Sequence, residues 1–406
     1  MTKIARTDLQ QVEYAVYHWN FGYNSKLPGL NESGFPDPSF FMASYSAENF
    51  REIFSNIINN LRNLETLMRK DALLLCSGGV DSSLLALMRN YGCKDFLQSM
   101  LHISYIDHPD NDLTKFTSIL NNFKSFSTII SLTGDEYIKG IESLHNNSFY
   151  QNTYAPTLSF ALSRVIASLS SRSLITGSGP DELFYGMEKY TWDVFENYSA
   201  LPVNAALEKL DPTYNEDTYL KLFNQKGLEL FSEVKNNRKK LYQIISEIRP
   251  NIFEAQRLLA FSTVTAQHME LFSKVSAIYG LDHHAPLLNS EIVELALNTP
   301  IFDLVDLESG KSVEIGKKHL KLFLAEYMPK SHVYDRKIGF HAPATHYIKK
   351  YGKATLLNNL CYLPSWLDVD KTKKELENRF NNHHERDYFL YSLFNIILSK
   401  KQRVDQ

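Results

Sequence analysis

The chain has 406 residues, with 43 Lys and Arg against 46 Asp and Glu and a formal net charge of −3. That length allows two or three domains with ample core, and a near-neutral balance without a long basic block argues against a nucleic-acid footprint. No apolar run approaches the roughly 18 residues a membrane span needs, and the polar start "MTKIARTDLQQVEY" lacks a secretory leader pattern. Cys76, Cys93 and Cys361 show neither metal-type spacing nor an even count for pairing, so a cytoplasmic protein with reduced thiols is expected.

Residues 1–50 contain the Gly, Pro and Asn breakers of "GYNSKLPGLNESGFPDPSF" and are expected to form an irregular N-terminal segment. In "AENFREIFSNIINNLRNLETLM", Phe50, Ile53, Ile57, Ile58 and Leu61 recur at helical spacing. Apolar runs at 72–76, 96–106, 127–132 and 173–177 then read as strands, and the stretches 81–90, 111–122 and 156–170 between them as helices. This alternation predicts an α/β class, a parallel sheet with helices on both faces. After about residue 190 the strand signals fade. "YLKLFNQKGLELFSEV", "EAQRLLAFSTVTAQHMELFSKVSAIYG", "NSEIVELALN", "VEIGKKHLKLFLAEYM" and "RDYFLYSLFNIILSKK" all read as helices. The expected organisation is the segment 1–50, an α/β domain over 51–195 and an all-helical region over 196–406.

Two glycine turns carry the chemistry. "LLLCSGGVDSSLLALM" (73–88) runs from a strand pattern through a turn into a helix pattern. It matches neither G-x-x-x-x-G-K-[ST] nor G-x-G-x-x-G. Gly78 and Gly79 allow close approach of the backbone to an anion, Ser77, Ser82 and Ser83 add hydroxyls, and the following helix N-terminus favours negative charge. Asp81 would repel bare phosphate, and it makes sense beside phosphate if it holds Mg²⁺. The second turn, "LITGSGPDELFYG" (174–186), has Gly177 and Gly179 in the turn and Asp181 and Glu182 in the first helical turn. Acidic residues there are often only dipole complements. In a parallel sheet, however, both turns sit at the ligand-binding edge, where Asp81 and Asp181 can share one Mg²⁺.

"SGGVDSS" resembles the pyrophosphate loop of the ATP pyrophosphatases, and "SGPDELFYG" resembles the S-G-x-G-x-D-E-L-F-x-G turn of their asparagine synthetase branch. "YAPTLSFALSRVIASLSSRSLITGSGPDEL", "GLDHHAPLLNSEIVELALNTP" and "DRKIGFHAP" are similar to that branch's proline-led helix, its G-x-E-x-R-x-P-F-L-D segment and its K-x-G-F-x-x-P lysine loop. The resemblance covers roughly residues 50–400. It implies an adenine nucleotide α-hydrolase (PP-loop) type of fold in which the loop holds the pyrophosphate end of ATP. A carboxylate attacks the α-phosphorus, pyrophosphate leaves, and an amine or ammonia displaces AMP to give an amide. On this reading Ser77, Gly78, Gly79, Asp81, Ser82 and Ser83 hold pyrophosphate and metal. Asp181 is the second metal carboxylate, adenine lies near Ser104, and Lys337 neutralises charge developing during adenylation and amide formation.

The chain also departs from that pattern. Thr2 stands where asparagine synthetases carry a glutaminase nucleophile, and fewer than 75 residues precede the first turn. A glutaminase domain is therefore not expected, and glutamine-derived ammonia would need a separate ammonia-supplying partner. Ser178 replaces the Glu of asparagine synthetases and the Tyr of β-lactam synthetases, and a neutral hydroxyl is a poor base near pH 7. The E-x-R pair becomes Asp282 and His284, and the Asp after P-F-L becomes Asn289, which implies an altered substrate. Glu188 or Tyr190 is a candidate replacement base. His283, His284, His383 and His384 read as packed or solvated, because adjacent helix residues face different directions.

The expectation is an AMP-forming amide synthetase acting on a small-molecule or peptide carboxylate in specialised metabolism. Its amine is intramolecular, as in β-lactam synthetases and lasso-peptide cyclases, or comes from a second substrate, or is ammonia, with a separate ammonia-supplying or carrier protein as a candidate partner. A nucleobase- or tRNA-modifying ATP pyrophosphatase, and a non-catalytic ATP-binding relative, are the alternatives.

Overall fold

The four residues of the first strand, Ala-Leu-Leu-Leu, have no polar face, and a strand apolar on both sides has to be covered on both sides. The computed structural model describes residues 3–17, 27–61, 69, 71–92, 98–106, 112–123, 125–145, 155–167, 171–186, 197–211, 215–306, 316–335, 343–381 and 387–405. In it β1 (Ala72–Leu75), β2 (Gln98–Tyr105), β3 (Ser125–Leu132), β4 (Ser173–Ile175) and β5 (Asp282–His284) form one sheet. Its order is β3-β2-β1-β4-β5, and every pairing is parallel.

Alternate residues of β1 enter different cores. Ala72 and Leu74 join Met100 and Ile175, under the helices Ala47–Leu61 and Val80–Gly92 through Phe50, Phe54, Leu84 and Met88. Leu73 joins Leu101, Ile103 and Leu174 on the opposite face, under Gly134–His145, Ala155–Val165 and Tyr388–Asp405 through Tyr137, Leu158, Leu162 and Phe394. The α/β class with helices on both faces is what the alternation predicts.

From β1 the chain runs outward to β2 and β3, then returns to the other side of β1 to lay down β4. The order reverses between β1 and β4, and open α/β sheets leave a ligand crevice beyond the strand ends at such a point. The register pairs Leu74 with Ile175, so the turns that follow β1 and β4 are neighbours.

Three local features differ from the sequence expectation. The region expected to be all helical supplies β5, with Asp282 donating its N–H to Arg172 O and His284 O accepting from Thr176 N, both at 2.9 Å. Three polar residues, Asp-His-His, carry no strand periodicity; only the open edge of β4 makes them a strand. The helix Gly134–His145 was not expected either, although "TGDE" begins it with a reciprocal cap. Thr133 N donates to Glu136 Oε2 at 2.9 Å, and Glu136 N donates to Thr133 Oγ1 at 3.3 Å.

The third difference is a helix, Lys3–Tyr17, in the segment expected to be irregular. The breakers lie after it, and long-range bonds hold it in place. Arg238, 1% exposed, reaches Glu13 Oε1 at 2.9 Å and Asp211 Oδ2 at 2.6 Å, with its guanidinium 4.3 Å from the centre of the Tyr17 ring. Asn215 Nδ2 donates to Ala15 O at 3.1 Å. Among the described residues, no helix is long and apolar enough to cross a membrane.

Removing the Arg238 guanidinium leaves two buried carboxylates with their shared cation gone. Arg238→Ala is expected to cost about 3–5 kcal/mol, read as a lowered midpoint in urea unfolding. A loss under about 1 kcal/mol would mean that the triad does not anchor the N-terminal helix.

Candidate active site

The turn after β1 is built by its own serines. Gly78 has φ +90°, and a Cβ there would lie 2.5 Å from Phe116 N. Only glycine fits both constraints. Gly78 N donates to Ser82 Oγ and Gly79 N to Ser77 Oγ, each at 3.2 Å. Ser82 Oγ donates to Gly79 O and Ser83 Oγ to Gly78 O, also at 3.2 Å. The hydroxyls expected to face an anion thus hold the turn in shape in this conformation, and Ser83 is fully buried. Behind the turn, His102 Nδ1 lies 3.0 Å from Cys76 O. Burial pushes the Cys76 thiol up to about 11, so it stays protonated at neutral pH and is a poor nucleophile.

The turn after β4 lies against it. A Cβ on Gly177 would sit 3.1 Å from Asp81 Cβ, and Gly179, at φ +104°, caps the helix Pro180–Leu183 that carries Asp181. The predicted convergence of Asp81 and Asp181 is observed, and a residue that sequence reasoning passed over stands between them. Lys317 Nζ is 2.5 Å from Asp81 Oδ2 and 2.6 Å from Asp181 Oδ1. Burial alone would lower the Lys317 pKa; Asp181 and then Asp81 reverse that, so the ammonium is held charged above the ordinary lysine range.

Lys317 lies in "VEIGKKHLKLFLAEYM", read above as one helix, but the observed helix begins only at Lys318. Lys317 precedes it with φ +60°, drawn toward the second turn by its N–H, which donates to Phe184 O at 2.7 Å. Gly316 makes this approach: a Cβ there would fall 1.8 Å from Tyr185 O. Charge and periodicity do not separate Lys317 from Lys318 or Lys321 in the sequence. A Gly-Lys pair opening an amphipathic stretch was the one available signal.

Other groups close around the turns. Lys115 Nζ is 3.4 Å from Asp335 Oδ2. His332 Nε2 is 3.4 Å from Ser83 Oγ, and burial, then Lys115, lower its pKa so that it stays neutral. Burial also lowers His268 to about 4, against the opposing pull of Asp181. Ser104 lies at the C-terminal end of β2 with its hydroxyl 2.8 Å from Ser131 Oγ. Ser178 is half-buried in the second turn, 3.0 Å from Thr176 Oγ1. Lys337, Glu188, Tyr190, His383, His384 and Cys93 lie outside the described residues. No group of three or more His, Cys, Asp or Glu among the described residues has metal-binding geometry, and His283 and His284 sit in β5 with no metal cluster.

Lys317→Met would leave the two carboxylates facing each other. Because both are partly solvated, the expected cost is at the low end for a broken buried pair, about 3 kcal/mol. Lys317 has a raised folded pKa, so its stabilisation is complete below the unfolded lysine value of about 10.4 and is lost only as pH rises through the folded value. The difference in unfolding free energy between wild type and Lys317→Met should therefore stay level from pH 7 to pH 10. A decline across that window would show that the carboxylates do not hold the ammonium.

Comparison with known proteins adds an independent line. The asparagine synthase family matches residues 67–394. A search of curated proteins finds no match. Among solved structures, the chain is similar to the NH3-dependent NAD synthetase of Campylobacter jejuni in complex with nitrate. The identity is 18% over 54% of this chain and 96% of that one, with a TM-score of 0.22. The family match spans both glycine turns, β5 and Lys317, and on that extent the chain belongs to the asparagine synthase family.

Proposed function

We propose that this protein is an ATP-dependent, AMP-forming amide synthetase of specialised metabolism. It would activate a small-molecule or peptide carboxylate as its adenylate and pass the acyl group to an amine. One observation carries the proposal: two glycine turns meet at the β1–β4 switch point, with Asp81 and Asp181 on a single buried ammonium. Family membership supports ATP use and amide formation at a general level.

The first turn, with its fixed positive φ and helix N-terminus, suits the pyrophosphate end of ATP. Asp81 Oδ2 and Asp181 Oδ1 face Lys317, and the second oxygen of each carboxylate would be the protein ligand for a Mg²⁺ that also takes phosphate oxygens. Bound there, the metal would offset charge on the phosphate oxygens of the leaving pyrophosphate. Lys317 adds a fixed positive charge at the same place, and its rigid seat means that little reorganisation is needed as charge develops. Lys337 is the second cation of the proposal, assigned to the α-phosphate and the acyl oxygen. Ser178, without a carboxylate's basicity, meets the amine in the second half-reaction. The amine comes from the same molecule, a second substrate or a separate ammonia-supplying protein.

The test is product identity: ATP and Mg²⁺ incubated with a panel of amino acids, diamino acids and peptides. AMP and pyrophosphate with one carboxylate are expected, whereas ADP as product would overturn the proposal. With that substrate, Lys337→Ala should lower turnover by about two orders of magnitude, the equivalent of about 3 kcal/mol. An effect below threefold would remove Lys337 from the site.

A further inference from the structure

The replacement of a carboxylate or phenol by Ser178 leaves the second half-reaction without an obvious proton acceptor, and the structure supplies a hydrogen-bonded path leading away from that hydroxyl. Ser178 Oγ is 3.0 Å from Thr176 Oγ1, and Thr176 Oγ1 is 2.8 Å from His283 Nε2. His283 Nδ1 is 3.2 Å from Ser273 Oγ. Thr176 is 2% exposed, whereas Ser273 lies on the surface. The path thus begins in the second glycine turn, crosses the β4–β5 edge of the sheet and ends in solvent. His283 is fixed by the β-pairing of Leu174 with His283 and by an edge-to-face contact with Phe272 at 5.6 Å.

We propose that Ser178, Thr176, His283 and Ser273 form a proton exit path for the amide-forming step, with Ser178 as the group that meets the amine and Thr176 and His283 as positioning residues behind it. This rests on the adenylation reading above.

Each buried member of the path has one donor and one acceptor role to fill, so the chain has two consistent polarities. In the first, the His283 ring carries its proton on Nδ1, Nε2 accepts from Thr176, and Thr176 accepts from Ser178. Both Ser178 lone pairs are then free for an amine N–H. Burial lowers His283 to about 3, so the ring is neutral and keeps one donor and one acceptor nitrogen at any ordinary pH. That suits a group that passes a proton on and does not store it.

The step balances. The amine nitrogen uses its lone pair to form the N–C bond, and the C–O bond to AMP breaks with its electron pair on the phosphate oxygen. The nitrogen, positive after attack, becomes acidic enough for a hydroxyl to take its proton without a strong base. As that N–H breaks, an O–H forms on Ser178, and the Ser178 proton moves to Thr176 Oγ1. The Thr176 proton moves to His283 Nε2, the Nδ1 proton to Ser273, and the Ser273 proton to water. The path then has its second polarity, and rotation of the hydroxyls, with the half-buried ring losing its Nε2 proton to solvent and gaining one at Nδ1, restores the first.

Thr176→Val removes the relaying hydroxyl at nearly constant shape, and Thr176→Ser restores it. Two rates are compared in each protein with the carboxylate that yields AMP: carboxylate-dependent exchange of pyrophosphate into ATP, and amide formation. In Thr176→Val, amide formation should fall about 100-fold relative to exchange, and Thr176→Ser should recover most of that ratio. An unchanged ratio in Thr176→Val would overturn the path, as would an equal loss of both rates, which is the mark of a purely structural threonine. Absence of exchange in the wild-type protein would instead overturn the adenylation reading, and the path with it.

Discussion

Parallel pairing of β1 with β4 sets the distance between two turns that are far apart in the chain. Each turn leaves its strand at the same end of the sheet, so a register that aligns Leu74 with Ile175 places Gly177 against Asp81. Two carboxylates brought this close repel each other unless a cation stands between them, and Lys317 stands there. Much of the nearby backbone follows from that requirement. Gly316 permits contact with the second turn, and Lys317 takes a left-handed conformation that costs about 1–2 kcal/mol. Two charge-assisted hydrogen bonds of about 1.5–3 kcal/mol each exceed that strain.

The resulting site has its charges fixed by the fold. Its lysine is held charged, the histidines around it are held neutral by burial, and the serines of the first turn hold its glycines in place. Such fixed groups suit a reaction in which negative charge moves toward a leaving pyrophosphate, because little reorientation is needed when it does. The same rigidity explains why three hydroxyls in a seven-residue stretch are not redundant. Ser83 is fully buried against Gly78 O, and Ser82 and Ser77 bond the two glycine N–H groups.

At the second turn the neutral hydroxyl of Ser178 is held by its surroundings. Ser178 is tied through Thr176 to a histidine that sequence reasoning reads as packed or solvated. That histidine reaches the turn only because a strand of three polar residues adds to the edge of β4. Residues from the region expected to be all helical thereby reach the two turns: His283 through β5 and Lys317 just before the helix at Lys318.

The strand–helix alternation and the two glycine turns were legible in the sequence, because they depend on local periodicity and on glycine's backbone freedom, and the meeting of Asp81 with Asp181 followed from the parallel sheet that this alternation predicts. Tertiary contacts decided which lysine stands between the carboxylates, since Lys317, Lys318 and Lys321 share one basic amphipathic stretch and only Lys317 lies across from Asp81 and Asp181. They likewise decided that Asp-His-His is a strand and that residues 3–17 are a helix anchored by Arg238. In these cases the stabilising partners lie far off in the chain: the exposed edge of β4 for β5, and a buried guanidinium for the N-terminal helix. A periodicity window covers neither distance.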